Sequence, residues 1–260
     1  MLKVALCLSG QPRSFELGHT YHAKNILDRK DIEVDTFCHF WSRDNEHEEM
    51  VSDALEKLYR PKMISFDAMD DKTYIEACEE MDRDFTRIQD SRWPARNTLS
   101  MWYSVYRSYE LFREYRNKQY ENLGWEEKIR PIEYDVVVRS RYDYALSIQP
   151  DFQKVEVGKV YVPADRMTVN NDFCADMFAY GTPAVMEKYS TTVTNTKAFY
   201  DSGVVMNAEE MLAAQLKVCD LTGQNMVYVE MNNPFPPGPY NGNRHSIIRD
   251  DFTEWNTLRG

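Results

Sequence analysis

The sequence has few of the features that define cysteine-based and metal-based folds. Its five cysteines are widely spaced in 260 residues and form no Cys-x-x-Cys pair, which excludes a recognisable disulfide framework or zinc motif. Cys7 and Cys38 lie within apolar, strand-like runs, where a reduced thiol packs as a small hydrophobic side chain. The cysteines therefore indicate a reducing, cytoplasmic compartment.

Long apolar segments and basic runs are also missing. No stretch reaches the roughly eighteen apolar residues that a membrane-spanning helix needs, and the apolar run after Met1 is too short for the core of a signal peptide. The chain carries 42 acidic and 31 basic residues, for a net charge of −11. Because nucleic-acid binding depends on a positive field that displaces counterions, we expect neither a nucleic-acid partner nor a transmembrane segment.

What the sequence does contain is an alternation of strands and helices. The predicted strands are residues 3–8, 34–41, 62–66, 136–138, 159–162, 176–180 and 226–231, and the predicted helices are residues 15–27, 46–59, 98–120, 183–190 and 208–218. The first strand is a continuous apolar run, which is typical of a central parallel strand. This alternation predicts a mainly parallel sheet with right-handed crossovers. At this length we expect one α/β domain with an irregular C-terminal tail.

The turn after the first predicted strand reads Ser9-Gly10-Gln11-Pro12-Arg13. It matches neither the Gly-x-Gly-x-x-Gly fingerprint nor the P-loop, so both of those motifs are excluded. Ligands of open α/β sheets bind at the carboxyl ends of the strands, where Gly10 would allow a close backbone approach and Arg13 could pair with a phosphate. We predict ligand contacts from Ser9, Gly10, Gln11 and Arg13. The alternative is an ordinary turn in which Arg13 pairs with a surface carboxylate.

A second polar cluster closes the valine-rich strand. Arg139, Arg141 and Asp143 alternate along the chain, which predicts that they share one face of an extended segment. Such charges are costly at a buried strand end unless they are paired or meet a charged ligand. Two guanidinium groups can neutralise a diphosphate, and a carboxylate can hold a divalent cation. The alternative is a structural ion pair between arginine and aspartate.

The longest predicted helix offers a third group of ligand contacts. Asn97 is its predicted N-cap, and Asn97 and Ser100 are predicted to lie at a helix N-terminus that can bind an anion. His39 and Trp41 end the second predicted strand, and one of them is expected to edge the same pocket.

Four segments, KVALCLSGQPRSF, NTLSMWYSVYRSYEL, VVVRSRYD and DMFAYGTPAVMEKY, resemble GT-A-type glycosyltransferases of viruses and bacteria. Chlorella-virus xylosyltransferase-like proteins and related bacterial enzymes are the nearest group. The resemblance implies a GT-A-like (Rossmann-like) mixed, mainly parallel sheet flanked by helices in a single domain. Residues 1–145 would form a nucleotide-binding half and residues 146–260 an acceptor-side half. If the protein is viral, the cytoplasm is that of the host.

The resemblance also implies a site for a metal-bound donor. GT-A enzymes typically hold the diphosphate of a nucleotide sugar on Mn²⁺ or Mg²⁺ through an Asp-x-Asp at a strand end. Asp143 corresponds to the last carboxylate of that motif, but Arg141 replaces the first. His245 is the candidate for a further metal ligand late in the chain. This departure leaves metal dependence open, because the arginines could do part of the work of the cation.

The function implied is transfer of a sugar, from a UDP-sugar in preference and with UDP-xylose as the specific candidate, to a hydroxyl of a carbohydrate or glycoprotein. An inverting reaction needs a carboxylate base, for which Asp176 and Glu209 are the candidates, ahead of Asp172 and Glu210. Each has a structural alternative, as a solvated residue at a strand start or as a charge in a first helical turn. Two other functions stay open: a non-catalytic nucleotide- or glycan-binding protein, and a nucleotide phosphohydrolase.

Overall fold

A computed structural model describes residues 1–42, 44–68, 95–121, 133–164 and 174–231. Seven strands in this part of the chain form one sheet. They are β1 (Leu2–Gly10), β2 (Ile32–Ser42), β3 (Met63–Ala68), β4 (Val136–Arg141), β5 (Val160–Pro163), β6 (Phe178–Gly181) and β7 (Met226–Val229). Each of the seven predicted strands is present, with boundaries that shift by at most three residues.

The order of the strands is β3-β2-β1-β4-β6-β5-β7. The pairs β1–β2, β1–β4, β2–β3 and β5–β7 are parallel, whereas β6 runs antiparallel to both β4 and β5. The carboxyl ends of β1, β2 and β4 therefore lie at the same edge as the start of β6. The predicted Rossmann-like class, a mixed and mainly parallel sheet flanked by helices, is confirmed.

Six α-helices flank the sheet within the described residues. They are α1 (Phe15–His22), α2 (Asn45–Tyr59), α3 (Ala95–Glu121), α4 (Pro183–Ser190), α5 (Thr192–Asp201) and α6 (Ala208–Val218). α1 continues as a π-helical turn over Ala23–Leu27. Sequence periodicity missed α5, whose threonine-rich start favours neither state strongly. None of the described helices has the length and apolar character needed to cross a membrane.

The helices bury both faces of the sheet. On one face Ala5, Cys7, Phe37, Val137 and Ala179 pack with buried residues of α3, α4 and α6. On the other face the alternate residues of the same strands pack with Ile26 and with α2. The four described cysteines are free thiols. Because strand side chains alternate between faces, Ser9, His39, Arg139 and Arg141 belong to the face covered by α3.

Three predictions of local structure are wrong. Asn97 is not an N-cap, because α3 begins at Ala95 and Asn97 therefore lies within its first turn. Asp176 does not begin a strand, since β6 starts at Phe178. Asp143 does not extend the face of β4, because the strand ends at Arg141 and the chain turns.

Some predictions fall outside the described residues. They concern Asp172, His245 and the irregular tail from residue 232 onward. The division into a nucleotide-binding half and an acceptor-side half stays a prediction, although strands from both halves pair within one sheet through β4 and β6.

Candidate functional site

The end of β1 lies between two strand ends that carry polar side chains. In the sheet register Ser9 pairs with His39 of β2 on one side and with Arg141 of β4 on the other. Arg139 pairs with Cys7, two residues before Ser9, so Ser9 and Arg139 are diagonal neighbours on one face. The two turns predicted to contact a ligand therefore do meet at the carboxyl edge of the sheet.

Among the described residues, the buried guanidinium of Arg139 has no hydrogen-bond partner. Its side chain is 1% exposed, and among the described residues it alone has three buried side-chain nitrogens that lack a partner. Burial lowers its pKa, while Tyr189 and Asp176 act in the opposite direction. A buried charge with unsatisfied N–H groups is unfavourable in isolation, and the predicted contact of Arg139 with an anionic ligand stays a prediction.

The hydroxyl of Ser9 is a second buried polar group without a partner. Ser9 is 1% exposed, and its Oγ makes no hydrogen bond within the described part of the chain. Since Ser9 and Arg139 are neighbours on the same face, one ligand carrying several oxygens could satisfy both. Phosphate oxygens have the number and charge that such donors need.

Arg141 and Asp143 form an internal ion pair. Nε and one terminal nitrogen of Arg141 donate to the two carboxylate oxygens of Asp143, at 2.7 and 2.8 Å. Burial opposes the charge on Arg141, but the carboxylate of Asp143 outweighs it and the pKa of Arg141 is raised. Arg141 and Asp143 thus form the structural ion pair that was the alternative to ligand binding. Arg139 takes no part in this pair.

Asp176 lies in the loop that leads into β6, at the same edge. It is 6% exposed, and its backbone carbonyl accepts a hydrogen bond of 3.3 Å from the hydroxyl of Tyr189. Its carboxylate influences the pKa of both Arg139 and Arg141. The structure therefore places this candidate base at the same edge of the sheet as the arginines, near enough to influence their pKa values.

Glu209 reaches the same cluster from α6. Its backbone carbonyl accepts a hydrogen bond of 3.3 Å from the amide of Cys174, two residues before Asp176, and its charge contributes to the raised pKa of Arg141. Glu210 has a different role. Asn207 caps α6 by accepting from the amide of Glu210 at 2.7 Å, and its side-chain amide donates to the Glu210 carboxylate at 2.9 Å. The two adjacent glutamates therefore have different roles: Glu210 takes part in the cap of α6, and the charge of Glu209 acts on Arg141.

The first turns of α3 and α6 meet near this edge. Thr98 donates to the carbonyl of Met206 at 3.3 Å, just before the cap of α6, and the carbonyl of Ser100 accepts from the indole of Trp41 at 3.0 Å. Asn97 is exposed in this first turn, and the hydroxyl of Ser100 donates back to the Asn97 carbonyl at 3.1 Å. Both residues lie at the predicted edge, although neither caps the helix.

The turn after β1 has the backbone conformation expected of its glycine. Gly10 has φ +113°, which favours glycine, and a Cβ built there would meet no atom within 4 Å. Arg13 is exposed, and its guanidinium donates to the side-chain oxygen of Gln11. Arg13 thus makes a local hydrogen bond in this structure, and its contact with a phosphate stays a prediction.

A buried polar chain connects this turn to three other elements. The amide of Gly10 donates to Ser104 Oγ at 2.8 Å, Ser104 Oγ lies 2.7 Å from His39 Nδ1, and His39 Nε2 lies 3.0 Å from Asp67. Burial lowers the pKa of His39, so its neutral form would accept from Ser104 and donate to Asp67. Ser104 is fully buried and already accepts from Gly10, so it positions the turn and is unsuited to act as a nucleophile.

Most of this series of polar contacts was not predicted from the sequence. His39 lies near the end of β2 and is fully buried, so its predicted place at the edge of a pocket stays a prediction. Ser104 and Asp67 lie 65 and 28 residues from it, and no local spacing announces the contact. The one feature of the sequence that points to Ser104 is that it is a polar residue within the apolar stripe of the long helix.

The described residues do not fit a divalent metal at the predicted position. Both oxygens of Asp143 are engaged by Arg141, and no group of three potential metal ligands occurs among the residues that the structure describes. His245 lies outside that part of the chain. We therefore derive no chemical step through a metal.

A cavity of about 600 Å³ lies elsewhere, at the opposite edge of the sheet. It is lined by Tyr109, Arg116, Asn117, Tyr120, Glu133, Tyr134, Val157, Thr182, Pro183, Ala184 and Glu187. Tyr134 precedes β4 and Thr182 follows β6, so the lining belongs to the edge away from Arg139. The cavity includes none of the predicted site residues.

Comparison with known proteins identifies no family for this chain. No protein-family model matches the sequence, and no curated protein matches it. A solved structure that matches is the 4-diphosphocytidyl-2C-methyl-D-erythritol synthase from Anaerococcus prevotii, at 9% identity and a TM-score of 0.38, over 89% of this chain and 87% of that chain. A likeness of this degree carries no functional inference, so we base the proposed function on the residues of this chain.

Proposed function

We propose that this chain is a glycosyltransferase that moves a sugar from a nucleoside-diphosphate sugar to a hydroxyl group of a carbohydrate or glycoprotein. The observation that carries the proposal is that one edge of the sheet holds both hydrogen-bond donors that lack partners among the described residues and carboxylates. The guanidinium of Arg139 and the hydroxyl of Ser9 lack partners among the described residues. The charge of Asp176 influences the pKa of both Arg139 and Arg141, and the charge of Glu209 influences that of Arg141. The site therefore offers donors for a diphosphate and a base for an acceptor.

The reaction that uses these groups is a direct displacement. The carboxylate of Asp176, or of Glu209 in its place, removes the proton from the acceptor hydroxyl, and the acceptor oxygen attacks the anomeric carbon of the sugar. The bond between that carbon and the diphosphate oxygen breaks, and its electron pair stays on the diphosphate. Arg139 and Ser9 stabilise the charge that develops there. Attack from the side opposite the leaving group inverts the anomeric carbon.

The preference for a UDP-sugar, and for UDP-xylose among them, rests on the resemblance of the four sequence segments to GT-A enzymes. The aromatic content supports a carbohydrate acceptor in general terms, because 13% of the residues are Phe, Trp or Tyr and the apolar face of a sugar packs on such rings.

The test is a panel of UDP-, GDP-, CMP- and TDP-sugars incubated with the protein, with and without simple glycoside acceptors. We expect nucleoside diphosphate to be released only when an acceptor is present, together with a glycosylated product detectable by mass spectrometry. Release of terminal phosphate would identify a phosphohydrolase. Saturable binding of a nucleotide or glycan without turnover would identify a binding protein, and either result would refute the transferase.

A further inference from the structure

We propose that this chain binds the diphosphate of its donor without a divalent cation, and that the guanidinium of Arg139 supplies the positive charge. The inference builds on the proposed function, since it concerns the same donor. It differs from what the GT-A resemblance implies, because that resemblance leads one to expect Mn²⁺ or Mg²⁺ at Asp143.

The first argument is that Asp143 is not available to a metal. Its two oxygens accept hydrogen bonds from Arg141 at 2.7 and 2.8 Å, and its side chain is only 4% exposed. A cation at these oxygens would have to displace the guanidinium or lie directly against its positive charge. Arg141 also occupies the position of the first aspartate of the GT-A motif, so the ion pair replaces the two carboxylates that would bind a metal.

The second argument is that Arg139 has the properties that a substitute for the cation needs. Its side chain is 1% exposed, and Nε and both terminal nitrogens lack partners within the described residues. A guanidinium presents five N–H donors in a planar fork that matches phosphate oxygens. Because the group is buried, its attraction for an anion is screened less than that of a surface arginine.

The alternative is that Arg139 has a purely structural role. Structural arginines are paired with carboxylates or carbonyls, as the partly buried Arg29 is with Asp31 and the carbonyl of Pro150. Arg139 has no such contact among the described residues, although Asp176 is near enough to influence its pKa. An unpaired charge in this position reduces the stability of the protein without a ligand, which is common where a residue is kept for binding.

The experiment measures binding directly by isothermal titration calorimetry. The probes are UDP and inorganic pyrophosphate, each titrated into the full chain in excess EDTA, and UDP is titrated again with Mn²⁺. The variants are Arg139→Met, which removes the charge and keeps the volume, and Arg139→Lys, which keeps the charge without the fork. The matched control is Arg113→Met, because Arg113 is a partly exposed arginine of α3 that pairs with Glu110.

We expect both probes to bind the unaltered chain in EDTA, with UDP affinity changing less than about 2-fold on addition of Mn²⁺. Arg139→Met should weaken pyrophosphate binding by about 10- to 100-fold, the loss associated with charge-assisted hydrogen bonds. Arg139→Lys should lose less, and Arg113→Met should bind as the unaltered chain does. The melting temperature of each variant shows whether it is folded.

Three results would overturn the inference. They are UDP binding that disappears in EDTA and returns with Mn²⁺, absence of binding by both probes in EDTA, and undiminished pyrophosphate affinity in a folded Arg139→Met or Arg139→Lys variant. A different result separates the inference from the proposed function. If pyrophosphate binds through Arg139 in EDTA but no nucleotide sugar in the panel supports transfer, the diphosphate site stands and the glycosyltransferase is refuted.

Discussion

Replacing Gly18 by alanine tests how tightly α1 is packed against the turn that holds the Arg141–Asp143 pair. Gly18 is buried in α1, and a Cβ built there would lie 1.8 Å from the carbonyl oxygen of Tyr142 and 2.9 Å from the carbonyl carbon. Real Cβ atoms essentially never approach closer than 3.0 Å. The helix or the turn must therefore move by 3.0 − 1.8 = 1.2 Å along this contact. No side-chain rotation can relieve it, because the atoms it meets belong to the backbone.

The magnitude follows from two opposing effects. Overpacking typically costs about 1–3 kcal/mol, and a backbone contact of this kind belongs at the upper end, near about 3 kcal/mol. Alanine in place of glycine gains about 1 kcal/mol in a helix. The net destabilisation is then about 2 kcal/mol, which lowers the melting temperature by about 4–8 °C for a chain of this size.

The measurement is thermal unfolding followed by circular dichroism, with Thr20→Ala as the control. Thr20 is exposed on the same helix, and we expect its replacement to change the melting temperature by less than about 2 °C. If helix propensity alone decided the outcome, Gly18→Ala would raise the melting temperature. An unchanged or raised value would show that the packing of α1 on Tyr142 is not as close as described.

Three further predictions concern the site and its supports. Asp176→Asn should reduce the turnover of sugar transfer by at least about 100-fold while leaving UDP affinity within about 2-fold, as expected for a general base; turnover near normal would transfer the role to Glu209. Ser104→Ala should weaken UDP binding by about 5- to 10-fold in titrations, because the partly buried amide of Gly10 loses its acceptor; full affinity would mean that this bond does not position the turn. Burial lowers the pKa of His22 to about 3, so the unfolded chain takes up the proton first and stability falls as the pH drops from about 6.5 toward 3, by up to about 1.4 kcal/mol per pH unit. His22→Gln should flatten that slope in urea unfolding at pH 6 and pH 5, and an identical slope would contradict the assignment.

The sequence by itself determined most of the secondary structure. The apolar run at residues 3–8 lies within β1, and Pro183–Ser190 and Ala208–Val218 are helices at their predicted boundaries. These features are local, because strand and helix periodicity and the residues that start a helix act over a few positions. α5 was not predicted, because its sequence carries a weak local signal. The start of α3 was predicted wrongly, because Asn97 is a good capping residue that does not cap this helix.

Only the tertiary structure decided which of the predicted site residues are available to a ligand. Arg139 and Arg141 are two residues apart and were given the same role, yet one is paired with Asp143 and the other lacks a partner among the described residues. The antiparallel insertion of β6 beside β4 brings Asp176 to these arginines, and the fold of α3 over β1 and β2 joins Ser104 to His39. The contacts made through β6 and α3 join residues 35 or more positions apart. Their energies depend on burial and geometry, which cannot be read from the spacing of residues along the chain.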